Sequence, residues 1–307
     1  MEGDDTRDYP GARPPDRTHR IDSSGISLAV NEWGEPDAPL LGLVHGGFDF
    51  SRTFDVFAPM LADAGWRVVA WDARGHGDSD HAHFYSWAAD VRDHLAAITA
   101  LADGPIPLVG HSKGGGQLLD LLDARPCLAS AYVNLDGLPS HFSAPDINDR
   151  ERRRMRRDDL TATLDRRRRR NELSRRPDTI AGLAARRAPM NPRLSREWLE
   201  YLVTVGARHD DDGWRWKIDP VLHLGGFGPW RPNWSMEHLA NLDLPFLGVL
   251  SGVVDDPMGW KSRRGDVAPF LPPDGRLEFF DDVGHFLHIE QPRMIADLVL
   301  EFLEPYR

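Results

Sequence analysis

The sequence predicts an α/β fold, in which helices flank a mostly parallel central sheet and one inserted segment interrupts the pattern. From about Ile26 onward, short apolar runs alternate with segments of helical periodicity, which is typical of βα units. From residue 140 to residue 239 this alternation stops, and arginine runs at residues 152–154 and 166–170 appear instead. We therefore expect one sheet domain with an insertion.

Three regions divide the 307 residues. Residues 1–20 are rich in acidic residues and proline and predict a flexible tail. Residues 21–139 and 240–307 are predicted to form the sheet domain, and residues 140–239 a mainly helical cap. Within the cap, Asp211-Asp212-Gly213 lies between two short segments and predicts a hairpin. A chain of this length is often one large domain with an embedded subdomain.

The elements of the sheet domain follow from the apolar patterns. Buried strands are short apolar runs bounded by turn residues, whereas helices repeat apolar residues every three or four positions. The predicted strands are 40–44, 67–71, 108–109, 131–135, 246–250 and 277–280. The predicted helices are 90–101, the segment around 118–122 and 294–303.

Composition and charge exclude several classes of protein. The formal net charge of −11 argues against nucleic-acid binding, because phosphate recognition needs a positive face. No apolar run approaches the roughly 20 residues needed to span a bilayer, and the N-terminus has no stretch typical of a signal peptide. We therefore expect a cytoplasmic protein without a membrane span. The single cysteine, Cys127, excludes an intramolecular disulfide and is expected to be buried.

The strongest indication of chemistry is the segment Gly110-His111-Ser112-Lys113-Gly114, between a predicted strand and a predicted helix. A serine there lies on a sharp turn, and the flanking glycines avoid collisions with neighbouring backbone. The following helix N-terminus directs amide dipoles toward developing negative charge. An ordinary glycine-rich turn with a serine cap is the alternative, but the strand-turn-helix context favours Ser112 as a nucleophile.

A serine hydroxyl needs a base within hydrogen-bond distance. His285 follows the last predicted strand and precedes the closing helix, which favours a general base over a structural histidine. His288 is the nearest competitor but lacks the preceding glycine.

The third member of such a triad is a carboxylate that orients the imidazole. Asp255 lies just past a predicted strand end, and the order serine, aspartate, histidine along the chain fits. Asp256 is adjacent, and Asp136 ends the strand after the nucleophile helix, so both remain alternatives. We predict Asp255 as the acid.

Acyl transfer also needs hydrogen-bond donors where the carbonyl oxygen becomes negative. The backbone amide of Lys113 is one predicted donor, and Gly47 or Phe48, in the loop after strand 40–44, is expected to supply the other.

Other features favour ordinary interpretations. Three aromatic residues of the cap are candidate pocket walls, although core packing explains them equally well: Phe227, Trp230 and Trp234. His81 and His83 lack a third ligand at a suitable spacing, so no metal site is predicted, and the proposed chemistry requires no cofactor. The arginine runs are interpreted as a solvated face of the cap.

Four motifs in this order resemble the α/β-hydrolase superfamily: His45-Gly46-Gly47, Asp72-x-Arg74-Gly75-x-Gly77-x-Ser79, Gly110-His111-Ser112-x-Gly114-Gly115 and Gly284-His285-Phe286. The resemblance covers the chain outside the tail and the cap. Two cap fragments, 187–192 and 216–220, are weakly similar to the serine-hydrolase-like esterase branch. The resemblance implies the α/β-hydrolase fold, a catalytic triad on loops at the strand ends and a lid inserted after the sixth strand. Lys113 stands where Met, Leu or Gln more usually follows the nucleophile.

The expected activity is hydrolysis of a carboxylic ester, lactone or thioester of a small molecule through an acyl-enzyme on Ser112. The resemblance also permits hydrolysis of a carbon–carbon bond, or transfer of the acyl group to peroxide or another acceptor, with the same residues. A ligand-binding protein that keeps the fold without catalysis is the third alternative. Neither the substrate nor an oligomeric state is encoded in these motifs.

Overall fold

An eight-stranded sheet forms the centre of the computed structural model, which describes residues 7–138, 149–169, 172, 174–222, 232–253 and 264–307. Its strands are β1 (Arg17–Ser23), β2 (Ile26–Trp33), β3 (Leu40–Val44), β4 (Arg67–Trp71), β5 (Ile106–His111), β6 (Ala129–Leu135), β9 (Phe246–Ser251) and β10 (Arg276–Phe280). Their order in the sheet is β1-β2-β4-β3-β5-β6-β9-β10. Pairs β1–β2 and β2–β4 are antiparallel and all other pairs are parallel, so the predicted fold class is confirmed.

Helices cover both faces of this sheet. The helices are α1 (Phe57–Asp63), α2 (Trp87–Leu101), α3 (Ser112–Ala124), α4 (Asp149–Arg168), α5 (Ile180–Arg187), α6 (Arg196–Gly206), α7 (Pro232–Ala240), α8 (Arg264–Val267), α9 (Leu287–Glu290) and α10 (Pro292–Leu303). One apolar cluster packs α2, α3 and α7 against the sheet, and a second packs α1 and α10 against the opposite face. In α10, Ile295, Val299 and Leu303 recur every fourth residue and are buried, as an amphipathic helix requires.

The parallel strands bring their carboxyl ends to one edge of the sheet. β4 illustrates why these strands read as apolar runs, since Val68, Val69, Ala70 and Trp71 are all fully buried between the two helical layers. In an open parallel sheet, the loops that leave the carboxyl ends are the usual place for a ligand site. β3, β5, β6 and β9 are consecutive neighbours and supply the loops considered below.

β1 begins inside the region predicted as a tail, so the tail boundary at residue 20 is wrong. The first four residues of β1 carry no apolar signal, because an edge strand buries little of its surface. Upstream of β1, Tyr9 packs against Trp198 with ring centroids 4.8 Å apart. The amide of Arg13 donates to the carbonyl of Asp55 at 2.8 Å. From Tyr9, the chain therefore lies on the folded surface.

The segment between β6 and β9 contains α4 to α7 and a small hairpin of β7 (Ala207–Asp210) and β8 (Gly213–Trp216). The hairpin predicted at Asp211-Asp212-Gly213 is confirmed. Helices α5 and α6 form a third apolar cluster with Phe50 and Phe286, which belong to loops at the carboxyl edge of the sheet. This part of the segment therefore covers that edge. α7 instead packs against the sheet domain, and the limits 140–239 of the cap stay a prediction.

Cys127 is exposed rather than buried, because the chain leaves α3 in a short 3-10 turn at the surface. Across the described ranges, no helix is both long enough and apolar enough to cross a membrane.

Candidate active site

Ser112 lies at the junction of β5 and α3, in a backbone conformation that few residues adopt. Its φ is +50°, in the left-handed region, and its residue is 9% exposed. A methyl group on Gly110 would lie 2.6 Å from the Cα of Gly115, and one on Gly114 would lie 2.5 Å from the carbonyl oxygen of His45. The glycines around Ser112 are therefore required by close backbone contacts. Such a strained turn points the serine side chain out of the sheet.

The imidazole of His285 lies against Ser112, as the sequence predicts. Nε2 of His285 is 2.9 Å from Oγ of Ser112, so the hydroxyl can donate to this nitrogen. The loop that carries His285 follows β10, and His111 stabilises it by donating from Nε2 to the His285 carbonyl at 2.9 Å. His111, which directly precedes Ser112, thus helps to position His285.

The carboxylate beside His285 belongs to Asp136, which follows β6. Nδ1 of His285 donates to Oδ2 of Asp136 at 2.7 Å. The sequence offers Asp136 as an alternative acid, whereas the preferred Asp255 and its neighbour Asp256 lie outside the described residues. Asp136 is 1% exposed. Its φ of +50° places it, like Ser112, in a tight turn at the end of a strand.

Ser251 fixes the orientation of the Asp136 carboxylate from the neighbouring strand. The amide of Ser251 donates to Oδ1 at 3.0 Å and its hydroxyl donates to Oδ2 at 2.7 Å. With the bond from His285, the carboxylate accepts three hydrogen bonds in a buried environment. A charged acceptor with this many donors is held in one orientation.

The loop of residues 45–48, which we call the 45–48 loop, packs directly over the turn at Ser112. A methyl group on Gly46 would lie 3.1 Å from Cβ of Ser112, and one on Gly47 would lie 3.5 Å from Cδ of Lys113. The two backbone segments predicted to supply oxyanion donors are therefore in contact. Of the two candidates in this loop, Phe48 already donates its amide to Nε2 of His76 at 3.3 Å. This leaves Gly47 as the better candidate.

His76 was not singled out in the sequence, although it lies within the Asp72 to Ser79 motif. Its Nδ1 donates to the carbonyl of Arg74 at 2.9 Å, so its Nε2 is the acceptor for Phe48. Burial, with repulsion from His45 and Lys113, lowers the pKa of His76 well below its usual value. A neutral His76 is what this pair of bonds requires, and it fixes Phe48 at a φ of +60°.

The side chain of Lys113 points away from the serine toward α2. Its Nζ lies 2.7 Å from Oδ2 of Asp90, which also accepts from Nε2 of Gln117 at 2.9 Å. Asp90 and Gln117 are both buried. Lys113 therefore forms a largely buried ion pair that joins α3 to α2.

Glu290 on α9 stabilises the loop that carries His285. Its Oε2 accepts from the amide of Gly284 at 2.9 Å and from Nε of Arg193, in the inserted segment, at 2.7 Å. His288, the competitor for the base, is buried and makes no hydrogen bond to any described residue. Its ring packs against Phe54 and His111, with centroids 4.9 Å and 4.6 Å away.

A pocket of about 330 Å³ lies over the 45–48 loop. Gly47, Phe48 and Phe286 belong to its lining from the sheet domain, and Arg175, Arg187, Met190 and Trp216 from the inserted segment. Of the three predicted aromatic walls, Phe227 and Trp230 lie outside the described residues and stay a prediction. Trp234 lies on α7, is 42% exposed and is not among the described lining residues.

Within the part of the chain that the structure describes, no three His, Cys, Asp or Glu side chains are grouped so that they could hold a metal ion. Nε2 of His81 is 2.9 Å from the carbonyl of Lys217, and His83 is exposed.

Comparisons with known proteins agree with this architecture. The profile of the family described as "Alpha/beta hydrolase family" matches residues 43–298. The chain is 26% identical to a serine hydrolase-like protein of Danio rerio over 294 residues, covering 89% of this chain and 84% of that protein. It is also 26% identical to epoxide hydrolase A of Mycobacterium tuberculosis, over 92% of this chain and 96% of that protein.

Among solved structures, a thioesterase domain from the curacin biosynthetic pathway superimposes with a TM-score of 0.79. The two share 24% sequence identity, and the alignment covers 93% of this chain and 99% of that one. At this identity, the likeness is evidence for the fold alone.

Proposed function

Because the chain belongs to the alpha/beta hydrolase family, we propose that it is a serine hydrolase that cleaves a carboxylic ester, lactone or thioester through an acyl-enzyme on Ser112. The observation that carries the proposal is the continuous series of hydrogen bonds from Ser112 to His285, 2.9 Å, and from His285 to Asp136, 2.7 Å. A hydroxyl, an imidazole and a carboxylate in this order activate a serine for attack on a carbonyl carbon.

In the first half-reaction, Nε2 of His285 accepts the proton of the Ser112 hydroxyl as Oγ bonds to the carbonyl carbon. The positive imidazolium is stabilised by the carboxylate of Asp136 through Nδ1. His285 then gives the proton to the departing alcohol or thiol, and the acyl group remains on Oγ.

The backbone amides of Gly47 and Lys113 are the proposed donors to the negative oxygen of the tetrahedral intermediate. The proximity of the two segments supports this role, as does the position of Lys113 in the first turn of α3, where backbone amides point outward. In the second half-reaction, His285 removes a proton from water, the hydroxide oxygen bonds to the acyl carbon, and the acid leaves as Ser112 regains its proton.

The test is hydrolysis of p-nitrophenyl acetate and butyrate by the intact protein and by Ser112→Ala. We expect kcat/KM to fall at least about 10³-fold in the variant, because the nucleophile is absent. Ser130→Ala is the matched control, since the hydroxyl of Ser130 is buried on β6 and has no hydrogen-bond partner in the described part of the chain. Thermal unfolding midpoints of the two variants verify that the fold is intact.

Two outcomes of that test contradict the proposal. If Ser112→Ala retains the turnover of the intact protein, the acyl-enzyme mechanism is excluded. If a fluorophosphonate probe does not label Ser112 in folded protein and no ester is cleaved, the chain is a ligand-binding member of the fold. Faster Ser112-dependent turnover of a diketone, or of an ester with peroxide as acceptor, would instead favour carbon–carbon hydrolysis or acyl transfer.

A further inference from the structure

The pocket above the 45–48 loop carries an excess of positive charge, although the whole chain has a net charge of −11. Three guanidinium groups and one carboxylate are among its described lining residues: Arg175, Arg186, Arg187 and Asp49. The net charge of the pocket lining is therefore opposite in sign to that of the whole protein. The contacts of each arginine show which of them carries the excess positive charge.

Two of the three arginines have carboxylate partners. Arg187 donates from Nη2 to Asp49, and its guanidinium carbon lies 5.5 Å from the ring centroid of Trp216. Arg186 forms an ion pair with Asp178, with Nη2 and Oδ2 3.2 Å apart. These pairs neutralise the charges of Arg186 and Arg187.

Arg175 has no such partner among the described residues. Its Nε donates to the carbonyl of Ile218 at 3.3 Å and its Nη2 to the carbonyl of Asp219 at 2.9 Å. Burial lowers the pKa of Arg175, and attraction to the Asp219 carboxylate only partly opposes this. That carboxylate is already bonded to Tyr85, whose hydroxyl donates to Oδ2 at 2.6 Å. A partly buried guanidinium whose charge no described carboxylate neutralises is stabilised by an anion that enters the pocket.

Much of the remaining lining is apolar. Six apolar or aromatic side chains contribute to the walls: Phe48, Phe50, Met190, Trp216, Ile218 and Phe286. A pocket of about 330 Å³ with such walls suits a small ligand with a hydrocarbon stem. A planar guanidinium forms two parallel hydrogen bonds with a carboxylate, which gives both affinity and orientation.

We propose that this pocket binds acyl substrates that carry a second, free carboxylate, with Arg175 as its counter-ion. The inference rests on the proposed function, because Gly47 and Phe48 line the same pocket and Gly47 is the proposed oxyanion donor. One ligand can then place its ester carbonyl at the Gly47 end of the pocket and its distal carboxylate near Arg175. The substrate class is a monoester, or monothioester, of a short dicarboxylic acid.

Two matched esters test the preference for a free carboxylate: p-nitrophenyl hydrogen glutarate and its methyl ester. Both release p-nitrophenolate when the aryl ester is cleaved, and they differ in the charge of the distal group. In the intact protein, we expect kcat/KM to be at least about tenfold higher for the anionic ester, because one charge-assisted hydrogen bond contributes a preference of this size. Equal values for the two esters would overturn the inference.

Variants of the arginine assign the preference to one side chain. Arg175→Met is expected to raise KM for the anionic ester about tenfold or more and to leave the neutral ester within about twofold. Arg175→Lys keeps the charge and should retain part of the preference. The matched control is Arg176→Met, because Arg176 is an exposed neighbour that does not line the pocket. If Arg175→Met lowers the turnover of both esters equally, Arg175 has a structural role and the inference is wrong.

A binding measurement separates this inference from the proposed function. Calorimetric titration of Ser112→Ala with glutarate is expected to show saturable binding that is lost when Arg175→Met is added and that dimethyl glutarate does not reproduce. If neither p-nitrophenyl ester is cleaved, the proposed function fails, whereas this titration still decides whether the pocket takes a carboxylate. Absence of glutarate binding overturns the inference whatever the esterase result.

Discussion

At the scale of single residues, the carboxylate of Asp136 determines what the imidazole of His285 can do. It accepts from Nδ1 of His285, and Ser251 fixes it with two further hydrogen bonds. This arrangement keeps the proton on Nδ1 and leaves Nε2 to accept from Ser112. A group that cannot accept in this position would favour the wrong tautomer and could not stabilise the imidazolium.

We therefore expect Asp136→Asn to lower kcat by about 10³- to 10⁴-fold with little change in KM, because an amide replaces the negative acceptor while the shape is kept. The measurement is steady-state hydrolysis of a p-nitrophenyl ester. Asp255→Asn and Asp256→Asn are the matched controls and should retain kcat near that of the intact protein. A large loss of kcat in Asp255→Asn, with kcat kept in Asp136→Asn, would show that Asp255, in the segment after β9, is the acid.

Local sequence predicted Ser112 and His285, because a glycine-flanked turn between strand and helix is encoded by neighbouring residues. The partner of His285 could not be chosen in the same way. The ends of β6 and β9 are adjacent in the sheet, and a carboxylate at either end satisfies the same motif. Arg175 and His76 carried no signal, since their roles depend on how the inserted segment and the 45–48 loop pack in three dimensions.

At the scale of elements, the central parallel strands were predicted because they are buried on both faces and therefore read as uninterrupted apolar runs. β1 was missed because an edge strand needs few apolar residues.

The loop between β10 and α9 shows a further element-level feature. Glu290 receives hydrogen bonds from Gly284 inside the loop and from Arg193 across from the inserted segment. Glu290 thus links the inserted segment to the His285 loop through these hydrogen bonds.

We expect Glu290→Ala to lower kcat by about ten- to a hundredfold, because the Gly284 amide loses its acceptor and His285 shifts relative to Ser112. Glu290→Gln keeps an acceptor oxygen and should lose less. Steady-state kinetics with a p-nitrophenyl ester measures both, and Glu301→Ala is the control, since Glu301 is an exposed carboxylate on α10. Equal losses in Glu290→Ala and Glu290→Gln would show that the acceptor for Gly284 is not what positions His285.

At the scale of the whole molecule, the sheet domain buries several imidazoles in their neutral form. Burial is the main cause that lowers the pKa in every case: His45, His76, His94, His111 and His288. For His111 the pKa falls to about 4. The buried carboxyls of Asp55 and Asp120 have raised pKa values and act in the opposite direction, but they are fewer.

These imidazoles make the free energy of unfolding depend on pH with a definite sign. As pH falls below 6.5, the unfolded chain binds protons that the folded chain does not bind until about pH 4 at His111. The contribution of each imidazole to stability is therefore complete above pH 6.5 and decreases as pH falls below 6.5, down to about pH 4 in the case of His111. For His111 this contribution is about 3 kcal/mol. We expect urea unfolding at pH 5.5 to give a clearly lower free energy than at pH 7.5, and equal values would contradict this account.

His288→Leu tests the same argument at an imidazole whose two nitrogens have no hydrogen-bond partner within the described ranges. Leucine fills the space beside Phe54 and His111 without an unpaired polar atom, so we expect a gain of about 1–3 kcal/mol. Because the variant also lacks one proton-binding imidazole in the unfolded chain, the gain should be larger at pH 5.5 than at pH 7.5. The exposed His209→Leu is the control and should change neither value. A gain that is equal at both pH values would mean that His288 affects stability through packing alone, and that its suppressed protonation contributes nothing to the acid sensitivity of the molecule.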